Sequence, residues 1–299
     1  MIKTEKLTKR FEEKVALDAI DIEIADGSIY GLIGSNGSGK STLLRLISGV
    51  YMPDGGSITV DGQEVFNNPE VKARVSFLGD TPYFLPQSNI AEMARFYKAM
   101  YPSFDSDIYN RLISEFPLDS KARISSMSKG MQRQAALILA ISTCPKYLLL
   151  DEAFDGLDPV MRKVLKSLLI YGAENSGMTT IIASHNLREL EDLCDRVGLI
   201  HNGAIIFNDE IDKLKGKLHK LQAAFSKIPE TSVFEKLDVL KIERTGSLLQ
   251  MVVRGDETEI MSYVNKFSPI FAECIEPTLE EMFLYELEVT GYDVKSILG

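Results

Sequence analysis

The chain has 299 residues and a formal net charge of −10, with 45% of residues hydrophobic and 25% charged. That balance excludes a disordered or fibrous chain, and the acidic surplus argues against broad charge-driven binding to nucleic acid. No stretch approaches the ~20 apolar residues that cross a bilayer, Ile2-Lys3-Thr4-Glu5 lacks a signal-peptide core, and Cys144, Cys194 and Cys274 are too scattered to bind zinc.

In chain order, Ile22 to Ile24 and Ser28 to Ile33 read as strands. Lys40 to Gly49 reads as a helix opened by a Gly-rich turn. Ser57 to Val60 and Val75 to Leu78 are short strands. Asn89 to Phe116 is mostly helical, with Ile90, Met93, Ala94 and Tyr97 on one face. A helix follows Ser128. Tyr147 to Leu150 is a continuous apolar run, the mark of a strand buried on both faces. Asp158-Pro159 is a cap-then-proline start for a helix to Tyr171. Thr179 to Ala183 is a β-branched strand, and Asn186 to Cys194 a helix. Val197 to Ile200 and Ala204 to Phe207 flank the hairpin signal His201-Asn202-Gly203. The alternation predicts an α/β fold with a largely parallel sheet.

The lysine-rich stretch Lys213 to Lys220 reads as helical and marks a change of composition. Beyond it lie two short strands, Val239 to Ile242 and Leu248 to Val253, and two helices, Glu257 to Lys266 and Thr278 to Glu288. The expected organisation is one domain over residues 1–215, with a helical subdomain about 86–140, and a small α+β domain over residues 216–299.

Gly34-Ser35-Asn36-Gly37-Ser38-Gly39-Lys40-Ser41-Thr42 fits GxxxxGK[ST]. Glycines let backbone amides turn inward around a polyphosphate, and the helix that follows points its positive end at the same phosphates. Lys40 supplies a point charge, and Ser41 is a candidate Mg²⁺ ligand. Asp151 and Glu152 end the apolar run Leu148-Leu149-Leu150, where an open α/β sheet builds its crevice. Asp151 would hold Mg²⁺, and Glu152 would orient or deprotonate an attacking water. His185 ends the neighbouring strand and would donate to charge developing on the terminal phosphate. Read alone, the acids are helix caps and the histidine is structural; together with the phosphate loop they read as catalytic.

Met127-Ser128-Lys129-Gly130-Met131-Gln132-Arg133 is a Ser-capped helix start. Standing between the phosphate loop and the Asp-Glu pair, it resembles the signature loop of the ABC (ATP-binding cassette) ATPases, usually LSGGQ. The resemblance covers about the first 215 residues and implies a P-loop NTPase cassette with a mixed sheet core. It implies an ATPase using ATP and Mg²⁺ that works as a dimer, with a second, identical cassette expected. Ser128, Lys129, Gly130 and Met131 would face the ATP held by the opposite subunit. Ser35, Asn36, Gly37, Ser38, Gly39, Lys40, Ser41 and Thr42 would hold the chain's own nucleotide. Phe11 matches the aromatic that stacks on adenine, although a core role would also suit a Phe there. Asp158 resembles the loop that bridges the two sites.

Some positions depart from the family pattern. Lys129 and Met131 replace a glycine and the glutamine, a form common among ABC-2-type exporters. Asp80 stands where the family has a Mg²⁺-contacting glutamine, which differs in charge and reach. Ala153-Phe154-Asp155 replaces Pro-Thr-Ser. Glu276-Pro277-Thr278-Leu279-Glu280-Glu281-Met282-Phe283 is similar to a C-terminal motif of the ABC-2 group. Tyr101 to Leu118 and Glu152 to Asp155 are similar to the Gram-positive ATPases of peptide and antimicrobial-peptide exporters. Tyr83, Phe84 and Leu85 are too apolar for a free loop and suggest a docking surface, where the family receives a helix of its membrane permease. These resemblances imply export, with the chain bound peripherally at the cytoplasmic face of the membrane. A soluble family member acting in assembly or maintenance without a permease is the alternative.

Overall fold

The computed structural model describes residues 1–216 and 218–289. They divide between Asn208 and Asp209 into two units. In the first, β1 (Ile2–Phe11), β2 (Lys14–Ile24) and β3 (Ile29–Ile33) lead to α1 (Lys40–Ile47). Then come β4 (Gly55–Val60), β5 (Gln63–Glu64), α2 (Pro69–Lys72) and β6 (Val75–Leu78). Three helices follow, α3 (Ile90–Met100), α4 (Ser106–Glu115) and α5 (Lys129–Ser142), before β7 (Tyr147–Asp151) returns to the sheet. The unit closes with α6 (Pro159–Ser176), β8 (Thr179–Ser184), α7 (Leu187–Glu191), β9 (Arg196–His201) and most of β10 (Ala204–Glu210), whose end at Asp209 and Glu210 falls past the division.

The strands form a four-stranded sheet, β2-β1-β4-β5, and a six-stranded sheet, β10-β9-β3-β8-β7-β6. In the larger sheet, β9, β3, β8, β7 and β6 pair in parallel. Every residue of β3, β7 and β8 is buried, as strands covered on both faces must be. Register aligns their carboxyl ends: Ile33 lies beside Ser184, and Asp151 beside Ala183. The core between the sheets gathers Leu32, Leu43, Leu44, Ile47, Leu149 and Ile181 with Leu7, Leu17 and Ile58.

Several expectations need correction. β1 escaped the sequence reading because its pattern shifts midway. Ile2 and Thr4 are buried, then Leu7, after Lys6 turns through φ 48° at a register break. The helical stretch from Asn89 to Phe116 is two helices. Pro102 excludes helical backbone at Tyr101 (φ −113°, ψ 108°), and the Asp105 side chain caps α4 by accepting from the Asp107 and Ile108 amides. α7 ends at Glu191 rather than Cys194. The turn between β9 and β10 has Asn202 and Gly203 at φ 47° and 79°, the hairpin geometry expected.

The second unit contains α8 (Ile211–Lys215), β11 (Leu218–Ala224), β12 (Asp238–Thr245), β13 (Leu248–Arg254), α9 (Glu257–Val264), β14 (Phe271–Ile275) and α10 (Leu279–Val289). The lysine-rich helix therefore stops at Lys215, and Leu218 to Lys220 already belong to a strand. α8 packs with β11 and α10, which draws the division of the chain ahead of the 215/216 boundary. The strands form an antiparallel sheet, β12-β13-β11-β14. Its inner face, Leu221, Ala223, Leu249, Met251 and Val253, packs on Ile260 and Val264 of α9. Residues 290–299 of the expected second domain lie outside the described residues.

Leu149 is fully buried at the centre of β7. Leu149→Ala is expected to lower unfolding stability by about 3–5 kcal/mol through lost burial and a residual cavity. Urea denaturation followed by circular dichroism measures it.

Candidate functional site

The loop from Gly34 to Gly39 joins a buried strand to α1, so its backbone is held at both ends. Gly39 occupies the N-cap of α1 at φ 119°, a conformation closed to side chains, and a Cβ there would lie 2.7 Å from the Ala16 carbonyl. Gly34 is required for a different reason: a Cβ would stand 2.4 Å from the Ile200 carbonyl and 2.5 Å from Ser38 Oγ. The Lys40 ammonium is almost buried. It donates to the carbonyls of Gly34 (2.7 Å) and Ser35 (3.2 Å), which fixes its charge over the loop.

Glu152 follows β7 at φ 50°. Left-handed backbone costs an ordinary residue about 1–2 kcal/mol, and functional sites are where such strain collects. Here its amide donates to the Ala183 carbonyl at 2.9 Å. One carboxylate oxygen lies 3.4 Å from Lys40 Nζ and the other 2.9 Å from His185 Nδ1. Three elements spread over more than a hundred residues of sequence thus meet at one carboxylate. The Asp155 carboxylate also comes within 4.8 Å of the Glu152 and His185 groups.

Asp151 is fully buried, and neither of its carboxylate oxygens has a hydrogen-bond partner among the described residues. Burial pushes its pKa up; the nearby Ser41 hydroxyl and Arg45 guanidinium oppose this, and the charges of Asp80 and Glu152 add to it. A buried, unpartnered carboxylate is costly. A divalent cation held between Asp151, the Ser41 hydroxyl and Asp80 would supply the missing charge, and an all-oxygen donor set suits Mg²⁺. The buried Ser38 Oγ likewise lacks a partner among the described residues, as a donor reserved for phosphate would.

Phe11, Lys14, Ala16, Asn36, Gly37, Gly39, Lys40, Ser41, Thr42, Asp80 and Glu152 line one cleft. Phe11 is not a core residue. The residue is 41% exposed, its ring set edge-on to Tyr51 at 5.3 Å, with Lys9 Nζ 5.4 Å from the ring centroid.

The signature residues lie elsewhere. Ser128 caps α5 by accepting from the Met131 amide at 3.2 Å, and both Ser128 and Lys129 are exposed. Gly130 abuts the Gly156 carbonyl, which a Cβ would meet at 2.7 Å. None of Ser128, Lys129, Gly130 or Met131 lines the cleft of its own chain. Asp158 is exposed and caps α6, accepting from the Val160 and Met161 amides. Lys14, Ala16, Arg45 and Arg133 were missed by the sequence reading. Each is an ordinary strand or helix residue, and only tertiary placement brings it to the site.

Residues 17–155 match the ABC transporter family. The ATP-binding protein YtrB of Bacillus subtilis (strain 168) is 27% identical over 95% of this chain and 97% of its own length. The bacitracin transport ATP-binding protein BcrA of Bacillus licheniformis is 30% identical over 74% of this chain and 73% of its own. Among solved structures, an ATP-binding subunit of an ABC transporter superposes with a TM-score of 0.67 at 25% identity, covering 72% of this chain and 92% of that one.

The two loop glycines separate strain from crowding. Gly37 sits at φ 79° with open space around it, whereas Gly39 is both strained and crowded. Gly39→Ala is expected to weaken ATP binding by well over ~10-fold, Gly37→Ala by roughly 5-fold, since an isolated left-handed alanine costs only about 1–2 kcal/mol. Titration with a fluorescent ATP analogue distinguishes them.

Proposed function

The chain belongs to the ABC transporter family as an ATP-binding subunit, and from that premise we propose that it hydrolyses ATP as one of two facing copies and powers a separate membrane-spanning permease in the direction of export. The observation that carries this reading is a division of labour. The chain gathers a phosphate loop, a lysine and a carboxylate into one cleft, with a histidine against that carboxylate, yet leaves Ser128 and Lys129 exposed and none of its signature residues lining the cleft.

In this reading the phosphates of ATP lie along the loop amides from Asn36 to Thr42, and Lys40 releases the Gly34 and Ser35 carbonyls to meet them. Phe11 stacks on the base. Asp151, Ser41 and Asp80 would hold Mg²⁺, which would supply positive charge against the phosphates. Glu152 orients the attacking water and accepts its proton. His185, 2.9 Å from Glu152, both orients that carboxylate and donates toward the terminal phosphate. Ser128 and Gly130 at the positive end of α5 would close the partner's site, with the Asp158 loop between the two sites.

The direction of coupling draws on other features. Among the described residues no helix is long and apolar enough to cross a membrane, and in this reading a separate chain spans it. A groove of about 830 Å³ beside α3 is lined by Tyr83, Leu85, Met93, Phe96, Tyr97 and Met100. Tyr83 is 77% exposed and Met100 61%, which suits a surface awaiting an apolar helix. Phe84, by contrast, packs into the α3–α5 cluster. The similarity to a bacitracin transport protein and the Lys129-Gly130-Met131 signature support export of an amphipathic or peptide substrate, with the subunit held at the cytoplasmic face of the membrane.

Glu152→Gln keeps the shape of the side chain and removes the base. It is expected to lower steady-state ATP turnover at least ~100-fold while letting an ATP-bound dimer accumulate on size exclusion. Turnover at the unmutated rate would remove Glu152 from its role. Tyr83→Glu places a charge on the groove. It is expected to abolish co-purification with a polytopic membrane protein from detergent extracts; retention of that partner would show that the groove is not the docking surface.

A further inference from the structure

The end of β7 poses a hydrogen-bonding problem that one side chain solves. The Glu152 amide donates to the Ala183 carbonyl, on the β8 side of β7. The peptide bond is trans, so the Asp151 carbonyl points the opposite way, toward β6. There the ladder has already ended, with Leu78 paired to Leu150. A carbonyl at this depth needs a donor. Arg133 provides it, with Nη1 3.3 Å from the Asp151 oxygen. The second arm of the same guanidinium, Nη2, donates to the Asp80 carbonyl at 2.6 Å.

The Arg133 fork therefore grips the backbone of two residues whose carboxylates face the proposed cation. It does so from α5, whose first turn is the signature loop. Asp80 is approached from its other side by Arg45, 3.9 Å from its carboxylate. Carbonyl and carboxylate of one residue share a Cα, so a cation that draws the carboxylates inward also moves the carbonyls that Arg133 holds. Planar, two-armed donation is what arginine supplies and lysine does not.

We propose that Arg133 is a positioning residue that couples cation loading at Asp80 and Asp151 to the placement of the signature helix. It does not touch the nucleotide. It makes α5 sense whether the chain's own site is loaded before Ser128 and Gly130 are offered to a partner. This rests on the reading of Asp80 and Asp151 as cation-facing.

The test uses the full chain with Arg133→Gln, and Mn²⁺ as the probe, followed by electron paramagnetic resonance in the presence of ATP. Mn²⁺ affinity is expected to fall on the order of 10-fold, the scale of a lost hydrogen bond to a charged donor. ATP affinity in EDTA should stay within about twofold, since Arg133 is not among the residues that line the cleft. Hydrogen exchange at residues 128–133 should respond to Mn²⁺ in the unmutated chain and cease to respond in the variant. Arg133→Lys, able to reach one carbonyl at a time, should recover part of both effects, and it carries the comparison if Arg133→Gln proves unfolded by thermal melting. Unchanged Mn²⁺ affinity, a retained exchange response, or equal weakening of metal-free ATP binding would each overturn the proposal. Asp80→Asn and Asp151→Asn separate the two levels. If neither weakens Mn²⁺ binding, the cation assignment fails and takes the coupling with it. If both do and Arg133→Gln does not, the assignment stands and the coupling alone fails.

Discussion

The register of three buried strands governs everything else in the first unit. β3, β7 and β8 run parallel with Ile33 beside Ser184 and Asp151 beside Ala183. Parallel strands end on the same side, so the phosphate loop, the Asp151-Glu152 pair and His185 must emerge together. A shift of one residue would turn Asp151 out of the site, because side chains alternate across the strand. Leu149, Leu32 and Ile181 hold that register through the core. The chemistry of the cleft is thus inherited from hydrophobic packing beneath it.

That packing has an electrostatic cost. Asp151 is fully buried without a hydrogen-bond partner among the described residues, and Lys40 is only 5% exposed. Burial favours the neutral form of Asp151. The site resolves the conflict only in part: Lys40 meets two carbonyls and Glu152, while Asp151 has no such partner. An apolar core would not leave a carboxylate in that state, whereas a site built around a cation would. The left-handed backbone at Glu152 points the same way. Both are local departures from good folding, and they are adjacent.

Much of this was readable in the chain. The glycine-rich loop, the apolar run into Asp151 and the cap at Asp158 each have a local physical cause, and each stands where the pattern put it. What was illegible depends on tertiary structure. β1 hid behind lysines and a bulge at Lys6. β11 hid in a lysine-rich stretch that reads as helix, yet Leu221 and Ala223 alternate with Lys220 and Gln222 as a half-buried strand requires. Arg133 reads as one more polar residue of a helix. Its importance comes from where β6 stops, and no local pattern announces that.

The strand that stops early also explains why a helix can be part of the site without lining it. Were β6 one residue longer, the Asp151 carbonyl would be satisfied within the sheet and α5 would have no hold on it. Because β6 turns away after Leu78, the gap is filled by a side chain from the helix that carries the signature. The same turn brings Asp80 to the cleft and its carbonyl to the same guanidinium. The missing sheet hydrogen bond is thereby replaced by a physical link between the end of β7 and the helix α5. Such a link would suit a subunit that completes another copy's site, since a signature loop indifferent to its own chain's cleft could close on a partner at the wrong time.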